Sequence, residues 1–359
     1  MLWPEQRQAD LTQKIQRLAA SPTRRFCYLH STILHENLPK SLSQNPHAWD
    51  DTQRIVGDSW QQVEIQNSYD APCFYIITAH GSDNSQLIWE LRAKAHQESV
   101  FSLWYWDNHV AYNDNFKVAL ATDLNFISHN LGVPGYLTNP ASAVAAHIPL
   151  CCAQFGMDEI RQEIATSLHT LRSNQGLFNY VVYENAPRAQ MMRQWQAELG
   201  ELAEFKLMPS NDRTRYWNLS RHERFQEWSL YKCSVIVPLV NDLSTRVFDA
   251  LAAGQIPIIP ESIQDLDIVC SREQQVQLGI VRIPELSAVA LANGIAQAVT
   301  NFDTLGAQGV VQRSEYVVNH GMLGHRLKAM LDVLCAIGNG SAQLVFGKGP
   351  NGIASYLNQ

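Results

Sequence analysis

The stretch Leu243–Pro260, LSTRVFDALAAGQIPIIP, decides the fold of this chain. Val247, Phe248 and Leu251 recur in it at the spacing of one helix face. Gly254 then stands where a glycine commonly ends a helix. The apolar run IPIIP that follows is typical of a buried strand. The stretch therefore predicts a helix followed by a strand.

A second apolar run comes before this helix. CSVIVPLV, Cys233–Val240, is short and rich in β-branched residues, which indicates another buried strand. Ser244 and Thr245 follow it as candidate N-caps of the helix. Strand, helix, glycine and strand together are one unit of a parallel α/β sheet. In such a unit the helix begins at the carboxyl edge of the sheet, where its amide groups and its dipole favour a bound anion.

Arg246 lies in the first turn of the predicted helix, at the end where the helix dipole disfavours a cation. Two partners would explain its presence. One is Asp249, three residues further on, in a surface ion pair worth only about 0.3 kcal/mol. The other is a phosphate on the helix end, which an arginine can hold with two parallel hydrogen bonds. The helix alone leaves both open.

Composition and charge narrow the class of protein. The chain has 359 residues, of which 46% are hydrophobic and 17% charged, and these values are typical of two globular domains. A net charge of −7 and the lack of a basic tail argue against a nucleic-acid partner. The N-terminal segment is polar, without the apolar core of a signal peptide, and no run has the length of a membrane span. We therefore expect a cytoplasmic protein.

Cysteine and glycine patterns exclude several kinds of site. The seven cysteines lie mostly in apolar runs, which favours buried thiols over a disulfide framework. No zinc-type spacing of cysteine and histidine occurs, so we expect no metal. No Gly-x-Gly-x-x-Gly follows a predicted strand of the first half, which argues against an NAD enzyme. The run GKGPNG, Gly347–Gly352, lacks the spacing of a phosphate-binding loop, and we interpret it as a flexible tail.

Strand and helix signals alternate along both halves of the chain. A segment rich in Gly, Pro and Ala, 132–156, separates the halves and indicates the approach to a linker. The pattern predicts an α/β fold of two doubly wound, Rossmann-like domains that face each other across a cleft. The predicted domains are 1–155 and 156–330, with a closing helix and tail at 331–359. The predicted strands include Phe26–His30, Cys73–His80, Ser99–Asp107, Leu124–Asn130, Leu177–Glu184 and Leu278–Ile283, and a long helix is predicted over Met157–Ser173.

The segment Tyr231–Ile263 resembles the donor-site segment of glycosyltransferases with the GT-B fold. It looks closest to the glycosyltransferase family 1-like and exostosin-like proteins. Their pattern is Arg-x-x-(Glu or Asp)-Ala-Leu-Ala-x-Gly-x-(Ile or Leu)-Pro, which here runs from Arg246 to Pro257. Weaker similarity lies in SLWYWDNH with LATDLNFIS, which resembles the acceptor domain, and in HGMLGHRLKAMLDVL, which resembles the final helix. In that fold the final helix commonly crosses back to the first domain.

The resemblance implies that the C-terminal domain binds a nucleotide sugar. Ser244, Thr245 and Arg246 would then hold the diphosphate. Asp249 would hold hydroxyl groups of the ribose or the sugar. Many family members have Glu at this position, and Asp is one methylene shorter, so Asp249 would reach a hydroxyl through water or would pair with Arg246. Arg188, after the predicted strand that ends VVYE, is a further candidate phosphate ligand; its alternative is a solvated helix start.

Glycosyl transfer by inversion also needs a base for the acceptor hydroxyl, whereas retention relies more on leaving-group assistance and positioning. Candidate bases follow strands of the first domain, at the edge where ligands bind in such sheets. Asp107 is the first candidate for the base, and its alternative role is to cap the following turn. His109 is the second candidate for the base. Three further histidines, His30, His80 and His129, end other strands, where a hydrogen-bonded structural histidine is the alternative. The aromatic run Trp104–Trp106 offers either a platform for a sugar or core packing.

These inferences combine into one functional expectation. The resemblance implies a metal-independent glycosyltransferase, of the hexosyltransferase kind, that moves a sugar from a nucleotide-sugar donor to a glycan or glycoconjugate acceptor in polysaccharide biosynthesis. No cofactor is expected beyond this co-substrate, and peripheral membrane association stays open. One alternative is a sugar-nucleotide epimerase or hydrolase on the same scaffold. Another is a non-catalytic protein that binds a nucleotide or a glycan.

Overall fold

The computed structural model describes residues 4–30, 48–79, 85–106, 117–129, 143–152, 154–183, 186–209, 218–343 and 357–358. The chain forms two compact units, Met1–Leu150 with Leu323–Gln359, and Cys151–Met322. Each unit contains a parallel sheet with helices around it, so the fold is α/β as predicted. None of the helices in the described part of the chain is long and apolar enough to cross a membrane.

The first unit is built on a sheet in which all neighbouring strands run parallel, in the order β2-β1-β3-β4-β5-β6. Parallel strands covered on both faces are apolar along their whole length, and every residue of β4 is buried. The elements of this unit before the chain leaves it are α1 (Pro4–Ala20), β1 (Arg25–His30), α2 (Ala48–Val56), β2 (Gln61–Gln62), β3 (Phe74–Ala79), α3 (Ser85–Lys94), β4 (Val100–Tyr105), β5 (Leu124–Ile127) and β6 (Ala143–His147).

The second unit has a sheet of the same kind, with the order β11-β10-β9-β7-β8 and parallel pairing throughout. The order reverses between β7 and β9, because β8 lies on one side of β7 and all later strands lie on the other. Its elements are α4 (Met157–Ser167), β7 (Ser173–Val182), α5 (Pro187–Leu199), β8 (Ala203–Pro209), α6 (Arg221–Ser229), β9 (Tyr231–Val235), α7 (Arg246–Ala252), β10 (Ile256–Pro260), α8 (Leu266–Val269), α9 (Arg272–Gln277), β11 (Val281–Ile283) and α10 (Ala288–Tyr316).

The stretch that opened the sequence analysis has the predicted structure. Helix α7 ends at Ala252, and Gly254 follows it with a φ of +72°. Strand β10 then pairs parallel with β9. A side chain at Gly254 would also collide with Val310 of α10, since a Cβ built there lies 2.5 Å from a Val310 methyl carbon. Glycine is needed here both for its backbone conformation and for the close approach of α10.

Two predicted ends of a helix or strand lie five or more residues from the observed ends. The helix predicted over Met157–Ser173 ends at Ser167, and Ser173 already begins β7. Leu171 continued the apolar spacing of the helix but is 93% exposed, so the spacing was accidental there. The strand predicted to reach Val240 ends at Val235, and the residues after it form the loop that leads to α7. Strand β8 was missed, since it lies at the edge of the sheet and most of its residues are half-exposed.

The chain returns to the first unit through α11 (Leu323–Gly338). This helix packs on α1 and α2 through two glycines. A Cβ built at Gly338 lies 2.4 Å from the Cβ of Ala19, and one built at Gly324 lies 3.0 Å from the Cα of Thr52. The absence of side chains at these two positions therefore lets the three helices approach closely. A short antiparallel pair, β12 (Ala342–Gln343) with β13 (Leu357–Asn358), follows.

Candidate anion-binding site at the carboxyl edge of the second unit

Tyr180 of β7 lies at the centre of the candidate site. Its side chain is fully buried, and its hydroxyl reaches across to the end of β9. The hydroxyl donates to the carbonyl oxygen of Val235 at 2.9 Å and accepts from the amide of Val237 at 2.7 Å. Burial raises the pKa of this phenol, so it stays protonated. Tyr180 thus joins the two strands at the point where the strand order reverses, which is where open α/β sheets bind their ligands.

Arg246, the first residue of α7, packs its guanidinium on the ring of Tyr180. Its Cζ lies 4.5 Å from the ring centroid, and its Nε donates to the carbonyl oxygen of Asn179 at 2.8 Å. The residue is partly exposed. Neither of its terminal nitrogens forms a hydrogen bond or an ion pair within the part of the chain that the structure describes. The guanidinium is therefore held through Nε, whereas its two terminal nitrogens remain uncommitted.

The predicted surface ion pair between Arg246 and Asp249 does not form, although the structure describes both residues. The carboxylate of Asp249 is only 1% exposed. It accepts a hydrogen bond from Gln154 Nε2 at 2.7 Å and one from the thiol of Cys152 at 3.6 Å. Burial raises the pKa of Asp249 to about 6, and the nearby charge of Arg246 opposes that rise. The predicted contact of Asp249 with a ligand hydroxyl stays a prediction.

Arg188, in the first turn of α5, packs on Tyr180 as well. Its Cζ lies 5.0 Å from the ring centroid. Its two terminal nitrogens donate to the carbonyl oxygens of Val237 and Val181, each at 3.3 Å. The side chain is 8% exposed, so it is not the solvated helix start that was its alternative. Burial lowers the pKa of Arg188, and the neighbouring Arg246 lowers it further.

The loop between β9 and α7 is held by its own polar side chains. Asp242 is buried and accepts hydrogen bonds from the amides of Leu239 and Val240. The hydroxyl of Ser244 accepts from the amide of Arg246 at 3.3 Å, whereas the side chain of Thr245 makes no capping bond. Since α7 is short and its first amides already have acceptors, the case for an anion here rests on the guanidinium groups.

The predicted base candidates are only partly placed. Asp107 and His109 lie outside the described residues, as does His80. His129, after β5, is 2% exposed, and its Nε2 lies 2.9 Å from the carbonyl oxygen of Trp106. The aromatic run Trp104–Trp106 is buried, and Trp104 donates its indole N–H to Ile148. The interpretation of this run as core packing is therefore confirmed, and an exposed sugar platform is not observed there.

The seven cysteines of the chain all lie among the described residues and form no disulfide bond. All seven cysteines are free, and Cys335 alone is not fully buried. Burial raises the pKa of Cys27 and of Cys233 to about 12, which makes both poor nucleophiles. No group of three or more His, Cys, Asp or Glu side chains arranged to hold a metal ion occurs among the described residues.

The fold has counterparts among solved structures, although the sequence gives no such link. No protein-family profile and no curated protein matches the chain. The N-terminal domain of trehalose-6-phosphate phosphatase from Candida albicans has a similar structure, with a TM-score of 0.53 and 8% identity over 87% of this chain and 97% of that one. The GtfA/B complex gives a TM-score of 0.38 and 10% identity over 77% of this chain and 59% of that one. The first likeness shows a shared fold alone, and the second is too low to support an argument.

Proposed function

We propose that this protein is a glycosyltransferase of the GT-B type, and that its second unit binds a nucleotide-sugar donor. Arg246 would hold the diphosphate directly. The observation that carries the proposal is a partly exposed guanidinium with two uncommitted nitrogens, fixed on Tyr180 where the strand order reverses. Arginine suits this task because its planar fork matches phosphate oxygens and keeps its charge at every physiological pH.

Arg188 supports this site through its charge. Its terminal nitrogens already bond Val237 and Val181, so it adds positive potential beneath the ligand and fixes the backbone around it. Asp242 lies close enough to raise the pKa of Arg188 and so to stabilise its charged form. Ser244 and Thr245 would supply hydroxyl donors beside the phosphates, and Asp249 remains the proposed ligand of a sugar or ribose hydroxyl.

In the proposed reaction the diphosphate leaves the sugar carbon as an acceptor hydroxyl attacks it. Negative charge grows on the leaving oxygen, and Arg246 with Arg188 would stabilise it without a metal ion. The proton of the acceptor would pass to Asp107, or to His109 as the second choice. The acceptor would be a glycan or glycoconjugate. The sequence motif and the uncommitted guanidinium of Arg246 both support this donor chemistry.

A ligand screen tests the donor class. The wild-type protein would be heated with UDP, GDP, CMP, dTDP or ADP, with and without EDTA. A nucleotide at about one hundred times its dissociation constant stabilises the folded state by about 2.7 kcal/mol. We expect a shift with one diphosphate that EDTA leaves unchanged. Loss of the shift with EDTA would contradict the metal-independent mechanism, and no shift with any nucleotide would contradict the donor site.

Turnover separates the transferase from its alternatives. With the sugar nucleotide of the base identified in the screen, we expect release of the nucleoside diphosphate to depend on added glycan acceptor. Equal release without any acceptor would favour a hydrolase, and conversion of the sugar nucleotide into an isomer without release would favour an epimerase. Binding without turnover would favour a non-catalytic binding protein.

A further inference from the structure

Tyr180 contacts both arginines of the site but has no polar group that is free for a ligand. Its hydroxyl is occupied by Val235 and Val237, and its side chain has no exposed surface. Its contribution must therefore pass through the residues that it touches.

The ring acts on the guanidinium of Arg246. A single hydrogen bond from Nε to Asn179 would leave the guanidinium plane free to turn. The ring face at 4.5 Å adds a second contact, and the two together define where the terminal nitrogens lie. The electron-rich face also favours two neighbouring cations that would otherwise repel each other. Because Arg188 packs on the same ring, the repulsion between Arg188 and Arg246 destabilises the site less than it would without the ring.

The hydroxyl acts on the loop that leads to Arg246. Val235 is the last residue of β9, and Val237 is the second residue of the loop. By bonding one backbone group of each, Tyr180 fixes the direction in which the chain leaves the sheet. The carbonyl oxygen of Val237 in turn accepts from Arg188. One side chain therefore organises the loop and both guanidinium groups.

We infer that Tyr180 is a positioning residue that presents Arg246 to the anionic ligand, the ring by holding its guanidinium and the hydroxyl by holding the loop before it. The inference rests on the proposed function for the identity of that ligand. It predicts that loss of the ring weakens anion binding through Arg246, while loss of the hydroxyl alone weakens it much less.

The test uses the full chain and two probes, UDP and inorganic pyrophosphate, with affinities measured by calorimetry. Tyr180→Leu removes the ring and Tyr180→Phe removes only the hydroxyl. Phe178→Leu is the matched control, because Phe178 is equally buried on β7 but stacks on Phe205, with ring centroids 4.3 Å apart. We expect Tyr180→Leu to bind about tenfold more weakly. Tyr180→Phe should stay within about threefold of the wild type, and Phe178→Leu should be unchanged.

A double-mutant cycle distinguishes positioning from general loss of structure. If Tyr180 acts through Arg246, Tyr180→Leu should cost no further affinity in a protein that already carries Arg246→Gln. The same loss in both backgrounds would overturn the inference, as would wild-type affinity in Tyr180→Leu.

A readout without ligand makes the result independent of the proposed function. In protein labelled on arginine, the ring of Tyr180 should shift the side-chain proton signals of Arg246 upfield. Those signals are identified by their disappearance in Arg246→Gln. The shift should persist in Tyr180→Phe and in Phe178→Leu and should vanish in Tyr180→Leu.

The affinities and the proton shift together distinguish failure of the proposed function from failure of the inference about Tyr180. If the wild type binds neither inorganic pyrophosphate nor any nucleotide of the screen, the proposed function is wrong, and the proton shift alone decides whether Tyr180 holds Arg246. If Tyr180→Leu does not fold, the wild type decides, because Arg246 signals without an upfield shift in the wild type would overturn the inference.

Discussion

Two arginines of the second unit show how surroundings distinguish a proposed ligand-binding residue from a structural one. Arg246 and Arg313 both rest on an aromatic ring and donate to backbone carbonyls. Arg313 has no exposed surface, bonds Gly254 and Leu278, and burial lowers its pKa to about 9. It serves the packing around the end of α7. Arg246 keeps exposed, uncommitted nitrogens at the start of the same helix, and these suit an anion.

Asp249 should make the stability of the protein depend on pH. Its pKa rises from 3.8 to about 6 on folding, so the folded state binds this proton more tightly than the unfolded chain does. The free energy of unfolding therefore falls as pH rises from about 4 to about 6. Asp249→Asn removes this titration, and we expect the variant to gain up to about 3 kcal/mol relative to the wild type over that interval.

Urea unfolding at pH 4, 5, 6 and 7 would measure this effect, with Asp332→Asn on the surface as the control. The difference between Asp249→Asn and the wild type should grow with pH and level off above about pH 6. A difference that does not change between pH 4 and pH 7 would contradict the account of this buried carboxyl.

Sequence reasoning could identify Arg246 but not Tyr180, for a physical reason. A cation at a helix start departs from the usual charge preference, and this departure is visible in the sequence alone. An aromatic residue inside a predicted strand is ordinary core packing. Only the register of β7 with β9 places Tyr180 beneath both arginines, and register depends on residues far away in the chain.

At the scale of elements, the end of α7 depends on Gly254. Alanine there would adopt a φ of +72° and would collide with Val310. Gly57 is the matched control, since its φ is +71° but nothing lies within 4 Å of a Cβ built there. We expect Gly57→Ala to cost about 1 kcal/mol through conformation alone and Gly254→Ala to cost about 3 kcal/mol or more. Equal losses in thermal unfolding would show that the contact with α10 contributes nothing.

The contact between α4 and α6 should weaken as pH rises. Nδ1 of His222 lies 2.5 Å from the buried carboxylate of Glu163, which raises the pKa of His222 above 6.5. A raised histidine pKa adds stability that is fully present below about pH 6.5 and is lost as pH rises through the folded value. His222→Gln should therefore lower the free energy of unfolding at pH 6 and have little effect at pH 9. His169→Gln, just after α4, is the control, and a loss that is the same at both pH values would refute the ion pair.

The ends of helices and strands were predictable where the apolar spacing stops beside a capping or helix-ending residue. Ser220 with Glu223 three residues on is the sequence pattern of a capping box, and the structure has both of its hydrogen bonds at the start of α6. The end of α4 was not predicted, because no glycine or proline follows Ser167 and Leu171 continues the apolar pattern. Tertiary pairing at the start of β7 decided that boundary instead, as the amide of Ser173 donates to the carbonyl oxygen of Leu230.

At the scale of the whole molecule, the two glycines of α11 connect the end of the chain to the first unit. Gly338→Leu would force a side chain into Ala19, and such overpacking costs about 1–3 kcal/mol. We expect faster amide exchange in α1 and α11, with β9 and α7 of the second unit unchanged. Asp332→Leu, on the exposed side of the same helix, is the control for the bulk of the side chain. Uniform acceleration across both units would contradict this local role.

The strand order explains why the site lies where it does. Residues from β7, from the loop after β9, from α5 and from α7 meet at one edge of the second sheet only because the order reverses between β7 and β9. The sequence predicted the alternation of strands and helices but not this order, which requires knowledge of which strands pair. The helix with its arginine was therefore visible in the sequence, and the partners around that arginine were not.

The most direct test of the central claim is the affinity of a nucleoside diphosphate for Arg246→Gln, measured by calorimetry beside the wild type. Arg272→Gln is the control, because Arg272 is an arginine of the same unit whose charge is paired with Glu261 and Asp267. Loss of a charge-assisted contact to phosphate predicts at least tenfold weaker binding of UDP, or of whichever diphosphate the screen identifies, in Arg246→Gln. Arg272→Gln should bind like the wild type. Wild-type affinity in Arg246→Gln would contradict the account.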